Sequence, residues 1–274
     1  MNEVFFFVLI GLLAGLIPAS VNAWKDPPYE GFSFSKFPRS LVTGGVLGWL
    51  MYYLQKYNYI QIDNLGYVFL SVYCLERLVG ETIKACFLSR VHKEYQQFYK
   101  QYHLTFDTYR TRVIMGWLFF FIVSIGFAYS VQILHAYSST IAHSHFWGAL
   151  IGLLAGLIVA TGGALKDSPS EGFEFDKFLR SPIVGLVGGW FLVGISSRMD
   201  LLLMACIGFD RVVLEGYKAY FSGKTRGMFD RMKVKYPLWK HERYVFFVTY
   251  IISVGFLILC LSIPYTATYS RFIP

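Results

Sequence analysis

Residues 25–40, KDPPYEGFSFSKFPRS, return 141 positions later as residues 166–181, KDSPSEGFEFDKFLRS, with eleven of the sixteen positions identical. The identities are Lys25/Lys166, Asp26/Asp167, Pro28/Pro169, Glu30/Glu171, Gly31/Gly172, Phe32/Phe173, Phe34/Phe175, Lys36/Lys177, Phe37/Phe178, Arg39/Arg180 and Ser40/Ser181. An internal repeat constrains a fold more than any local propensity, because one unit has to be built twice and packed against itself. The likeness extends beyond the motif. GLLAG occurs at 11–15 and at 152–156, and Gly44, Gly48 and Trp49 correspond to Gly185, Gly189 and Trp190. A further block, offset by 134, aligns Glu76 with Asp210, Arg77 with Arg211, Glu81 with Glu215 and Lys84 with Lys218. The chain therefore divides into residues 1–138 and 139–274.

What is repeated is mostly apolar. Charged residues make up 15% of the chain, against about a quarter in soluble domains. Several uninterrupted apolar runs approach the roughly twenty residues needed to cross a bilayer. Their continuity excludes a β-barrel, whose strands alternate. The runs cover roughly 4–22, 41–55 and 113–134, with partners near 145–165, 182–196 and 245–263. The expected fold is an all-α polytopic membrane protein of two tandem parallel repeats, each of about four transmembrane helices, eight in total. Runs 41–55 and 182–196 are short enough that re-entrant segments remain an alternative to full spans. The N-terminus lacks the positive flank of a signal peptide, so its apolar run is read as a retained helix. Glycines four apart in GLLAG share one helix face and let two backbones approach closely.

The remaining span in each half carries charge. Only nine apolar residues, 201–209, precede Asp210 and Arg211, and nine residues of helix extend about 13 Å against a hydrocarbon core of about 30 Å. To cross, the helix must continue through Asp210, Arg211, Glu215 and Lys218, and in the first half through Glu76, Arg77, Glu81 and Lys84. Charge at membrane depth normally faces a bundle interior or a water-filled cavity. These eight residues are the candidate transport path. Spacing alone pairs Arg77 with Glu81 and Arg211 with Glu215 along their own helices. The competing reading places them at a cytoplasmic end, where long side chains snorkel and merely pin the helix.

The repeated motif supplies a second set: Lys25, Asp26, Glu30, Lys36 and Arg39, with Lys166, Asp167, Glu171, Lys177 and Arg180. Its acids could hold a divalent cation while its cations take a phosphate. Alternatively Pro28 and Gly31 make a structured turn whose phenylalanines bury and whose cations touch lipid phosphates. A gate of salt bridges between motif and helix charges is a third use. Metal ligands and cofactors stay unassigned. Cys74, Cys86, Cys206 and Cys260 form no CxxC pair and read as buried thiols. Aromatic residues read as span packing and interface markers.

The net charge of +8 concentrates in the segments after the first, third, fifth and seventh runs. That pattern puts the repeated loops in the cytoplasm and both termini on the opposite side, and it argues against nucleic acid as a partner. The expected partners are the lipid bilayer and further copies of the chain or a membrane complex. The leading functional expectation is a transporter or channel with a polar path between the two repeats. Two alternatives stand beside it: a non-catalytic subunit or scaffold docking a partner through the repeated loops, and a metal-dependent enzyme acting on a lipid phosphate. Non-enzymatic roles are favoured.

Overall fold

A computed structural model describes residues 3–57, 59–86, 145–171, 173–195, 199–222 and 234–265 of the chain. Among these the structure is all-helical, without a strand and with one isolated bridge between Asn64 and Pro264. Three stretches are long and apolar enough to cross a membrane: Glu3–Tyr29, His145–Ala164 and Tyr244–Ser262. The run at 113–134 and the basic stretch before it lie outside the described residues.

Helix α1 spans Glu3–Lys25. Pro27 and Pro28 then remove two backbone donors, and a proline ring cannot pack against the preceding helical turn. The chain bends at Asp26, makes the short helix α2 (Pro27–Glu30), and turns at Gly31 with φ +83°. Helix α3 follows over Phe37–Lys56. In the second copy Ser168 stands where the first has Pro27, the donor is kept, and α5 runs unbroken over His145–Glu171. Helix α6 covers Phe175–Leu192. The helices that hold the short apolar runs, of 20 and 18 residues, begin inside the repeated motif; α3 contains all of run 41–55, whereas α6 ends at Leu192, inside run 182–196. At 1.5 Å per residue they extend about 30 and 27 Å.

Helix α1 lies on α3, and α5 on α6, with backbones in contact. A Cβ at Gly11 would strike the carbonyl of Gly44, one at Gly15 that of Ser40, and one at Gly48 that of Phe7. The same collisions recur between Gly152 and Gly185, Gly156 and Ser181, and Gly189 and Gly148. These three close approaches of the first pair thus have counterparts 141 residues on, which gives the repeated glycines a steric reason. Such close approach replaces the hydrophobic drive that is missing between helices in lipid.

Helix α4 (Leu65–Cys86) packs against α1 and α3; helix α7 (Met199–Gly216) packs against α5 and α6. The two also pack against each other, closest at Gly208, where a Cβ would meet the Leu70 carbonyl. Helix α7 continues as a π-helical turn, Tyr217–Phe221. After the short α8 (Trp239–Glu242), helix α9 (Tyr244–Ser262) lies against α1 and α4, across the midpoint of the sequence from its own position. Ser20 and Thr249 hydroxyls hydrogen-bond at 2.7 Å. Asn64 Nδ2 donates to the Leu261 carbonyl at 3.0 Å while its Oδ1 caps α4 by accepting from Gly66 N.

Outward faces are apolar. Helix α3 exposes Val42, Val46, Trp49 and Leu50; α6 exposes the equivalent Ile183, Val187, Trp190 and Phe191; α9 exposes Val248, Ile251, Ile252 and Leu259. In water such surface would be an association liability. Against hydrocarbon it carries no penalty. Cys74, Cys206 and Cys260 are free thiols buried among these helices.

Candidate functional site

The seam between α4 and α7 gathers buried acidic and cationic side chains. On α4, Tyr73, Glu76 and Arg77 share one side of the helix, being three and four residues apart. On α7 the contributors are Asp210, Arg211 and Glu215. The Arg77 guanidinium meets Glu215 Oε1 at 3.1 Å, with the two side chains only 14% and 13% exposed. The Tyr73 hydroxyl donates to the other carboxylate oxygen at 2.9 Å. Glu215 is thus clamped from α4 by one charged and one neutral donor. The spacing-based expectation pairs Arg77 with Glu81, whose side chain lies outside the described residues; the packing of α4 on α7 also gives Arg77 an acid from the opposite half of the chain.

Glu76 and Asp210, the corresponding residues of the two halves, are both buried, at 3% and 0% exposure. Neither Asp210 oxygen has a hydrogen-bond partner among the described residues. The Ser181 hydroxyl of α6 faces it without reaching hydrogen-bond geometry. Arg211 and Lys25 add positive charge to the field at Glu215, so the first residue of the repeated motif acts on the helix charges. Lys218 lies at an exposed position beyond them. The side chains of Glu81 and Lys84 lie outside the described residues, as do those of Glu30, Lys166, Asp167 and Glu171.

The first copy of the motif is held by the segment leading into α9. Backbone N–H groups of Lys235 and Tyr236 donate to the Pro28 carbonyl at 3.0 and 3.1 Å. The Tyr236 ring lies 3.3 Å from where a Cβ on Gly31 would stand, so this left-handed position has neither the conformation nor the room for one. Phe32 stacks on Trp239 with ring centroids 5.0 Å apart and contacts Phe246 at 5.5 Å. Trp239 Nε1 donates to the Ala23 carbonyl at 3.0 Å, and the Arg243 guanidinium lies 4.1 Å over the Trp24 ring. Pro28, Gly31 and Phe32 are therefore anchoring positions. Asp26 is half-buried at the bend, while Lys36 and Arg39 point outward beside Phe34, which is 85% exposed. In the second copy Lys177 pairs with Glu174 at 2.9 Å on the surface, and Arg180 is half-buried.

Two site residues were not singled out by sequence reasoning. Tyr73 had a legible signal, a hydroxyl-bearing residue one helical turn before Arg77. Ser181 closes the repeated motif, but its proximity to Asp210 depends on how α6 packs against α7. Among the described residues no three His, Cys, Asp or Glu side chains converge as metal ligands would. The chain matches no known family, no curated protein and no solved structure.

Proposed function

We propose that the chain is an integral membrane transporter or channel whose polar path follows the α4–α7 seam. The seam lies between two tandem parallel repeats of four spans each. The observation that carries this reading is the clamp on Glu215: Arg77 and Tyr73 from one half hold an acid of the other, beside buried Glu76 and Asp210. Charges buried in a helical membrane bundle are costly and by default mark an ion or substrate pathway. Duplicated transporters place their sites at the junction of the repeats. The matched glycine collisions in α1/α3 and α5/α6 support the duplication, and the distribution of Lys and Arg supports cytoplasmic motif loops with both termini opposite. A π-helical turn directly after Glu215 fits the same reading, since such turns gather at functional sites.

One observation is compatible with a scaffold. Phe34 and its counterpart Phe175 are 85% and 61% exposed, alongside the cations of their motifs. Such a surface suits a membrane interface or a docked protein equally.

Aqueous accessibility separates the two readings. In a background with all four cysteines replaced, single cysteines at Arg77 on the seam and at Val248 on the outward face of α9 are challenged in liposomes with a membrane-impermeant thiol reagent. A water-connected path predicts that R77C reacts and V248C does not. An unreactive R77C in a folded protein would make the seam a sealed structural ion pair and leave the scaffold reading.

A further inference from the structure

We infer that Asp210 is the proton-binding residue of this path, and that the proton is the ion it moves or couples to. The inference rests on the transport reading above and names its ion. Asp210 differs from the other charges at the seam. Glu215 has a guanidinium on one oxygen and a phenol on the other. Asp210 is fully buried and has no hydrogen-bond partner on either oxygen among the described residues. A carboxylate in that setting, away from water, requires a positive charge of its own. A metal ion would need about six converging oxygens. Only the Ser181 hydroxyl faces Asp210 from outside its helix, and no set of three metal-ligating side chains stands among the described residues. A proton needs a single oxygen.

The surroundings place positive charge within reach of the deprotonated form. On its own helix Asp210 feels Arg211, Lys218 and Glu215, and Cys206 lies one turn before it. From α6 come the Ser181 hydroxyl and, one residue earlier, half-buried Arg180. From α4 the seam receives Tyr73, Glu76 and Arg77. Helix α5, which also packs on α7, carries no charged residue from Phe146 to Leu165. Asp210 thus has cations near enough to stabilise the carboxylate after release, and one hydroxyl, that of Ser181, facing it just short of hydrogen-bond geometry. The step is simple: one O–H bond forms on Asp210 as the proton arrives and breaks as it leaves, with no other bond changed. Ser181 is the group placed to accept a hydrogen bond from the protonated form.

The test uses the purified protein, wild type against Asp210→Asn and Glu215→Gln, each shown to keep wild-type helicity at the assay temperature. Infrared difference spectra between acidic and alkaline buffer report the carbonyl stretch of a protonated carboxyl and its shift in deuterated water. Proton uptake driven by a pH gradient is measured in parallel in liposomes, with sodium and potassium gradients as separate arms. The expected result is a carboxyl band that D210N loses, together with a fall in proton uptake of at least about tenfold. A band unchanged in D210N would overturn the inference. So would proton uptake unaffected by D210N but abolished by E215Q, an outcome that leaves the transport reading standing. Flux of sodium or potassium without proton movement would also overturn it while keeping that reading. Absence of flux for every ion in wild type would remove the transport reading and the inference with it.

Discussion

Breaking the Arg77–Glu215 pair one member at a time has a magnitude that follows from its geometry. At 3.1 Å and an effective dielectric of about 20, the attraction is about 5 kcal/mol. Desolvation of two side chains that are only 14% and 13% exposed offsets much of it. Arg77→Met leaves the Glu215 carboxylate with Tyr73 as its clamp from α4, and Glu215→Gln removes the acid that the Arg77 guanidinium meets across the seam. Each single change is expected to lower stability by about 3–5 kcal/mol, the usual loss when one partner of a buried pair is removed. The double variant removes both charges while glutamine still accepts from Tyr73, and is expected to lie within about 1–2 kcal/mol of wild type. The coupling energy is then about 4 kcal/mol or more, measured by titrating the protein from a mild detergent into a denaturing one and following helical circular dichroism. Two single effects that sum to the double within about 0.5 kcal/mol would refute the reasoning, because independent residues behave that way.

Other consequences are equally specific. Gly152→Ala drives a methyl into the Gly185 carbonyl, whereas Gly162→Ala meets nothing within 4 Å. The first is expected to lose about 2–3 kcal/mol by forcing α5 off α6, and the second to be neutral or to gain up to about 1 kcal/mol, in the same titration. Tyr73→Phe removes a hydrogen bond to a charged acceptor and is expected to cost about 1.5–3 kcal/mol. Trp239→Ala deletes the stack on Phe32 and the bond to Ala23, so limited proteolysis should cut the motif loop at least about tenfold faster while α4 and α7 stay protected.

The glycine face was readable from the sequence because it is a local pattern: residues four apart lie on one side of a helix wherever that helix goes. The helix lengths were partly readable. Run 41–55 understates α3 because Phe37, Arg39 and Ser40 are helical without being an apolar run, and no hydropathy pattern marks that start. The differing course of the two motif copies rests on Pro27 against Ser168, a difference visible in the sequence but hidden by the surrounding identities. The charged residues of α4 and α7 were legible as expensive groups needing partners. The contact between Arg77 and Glu215 was not, since it depends on how α4 packs against α7, which approach closely where Gly208 meets Leu70. The seating of α9 on α1 is likewise tertiary. It depends on Ser20 with Thr249 and on Asn64 with Leu261, which no periodicity links.

The measurement that bears most directly on the account is flux of ions and small solutes through the purified protein in liposomes. Wild type is compared with the combined change Glu81→Gln plus Glu215→Gln, both shown to be folded. The account predicts flux in wild type that falls to the level of empty liposomes in the combined variant. Equal flux in both would put the path somewhere other than the α4–α7 seam. No flux in wild type for any cation, anion or proton would contradict conduction by this chain altogether.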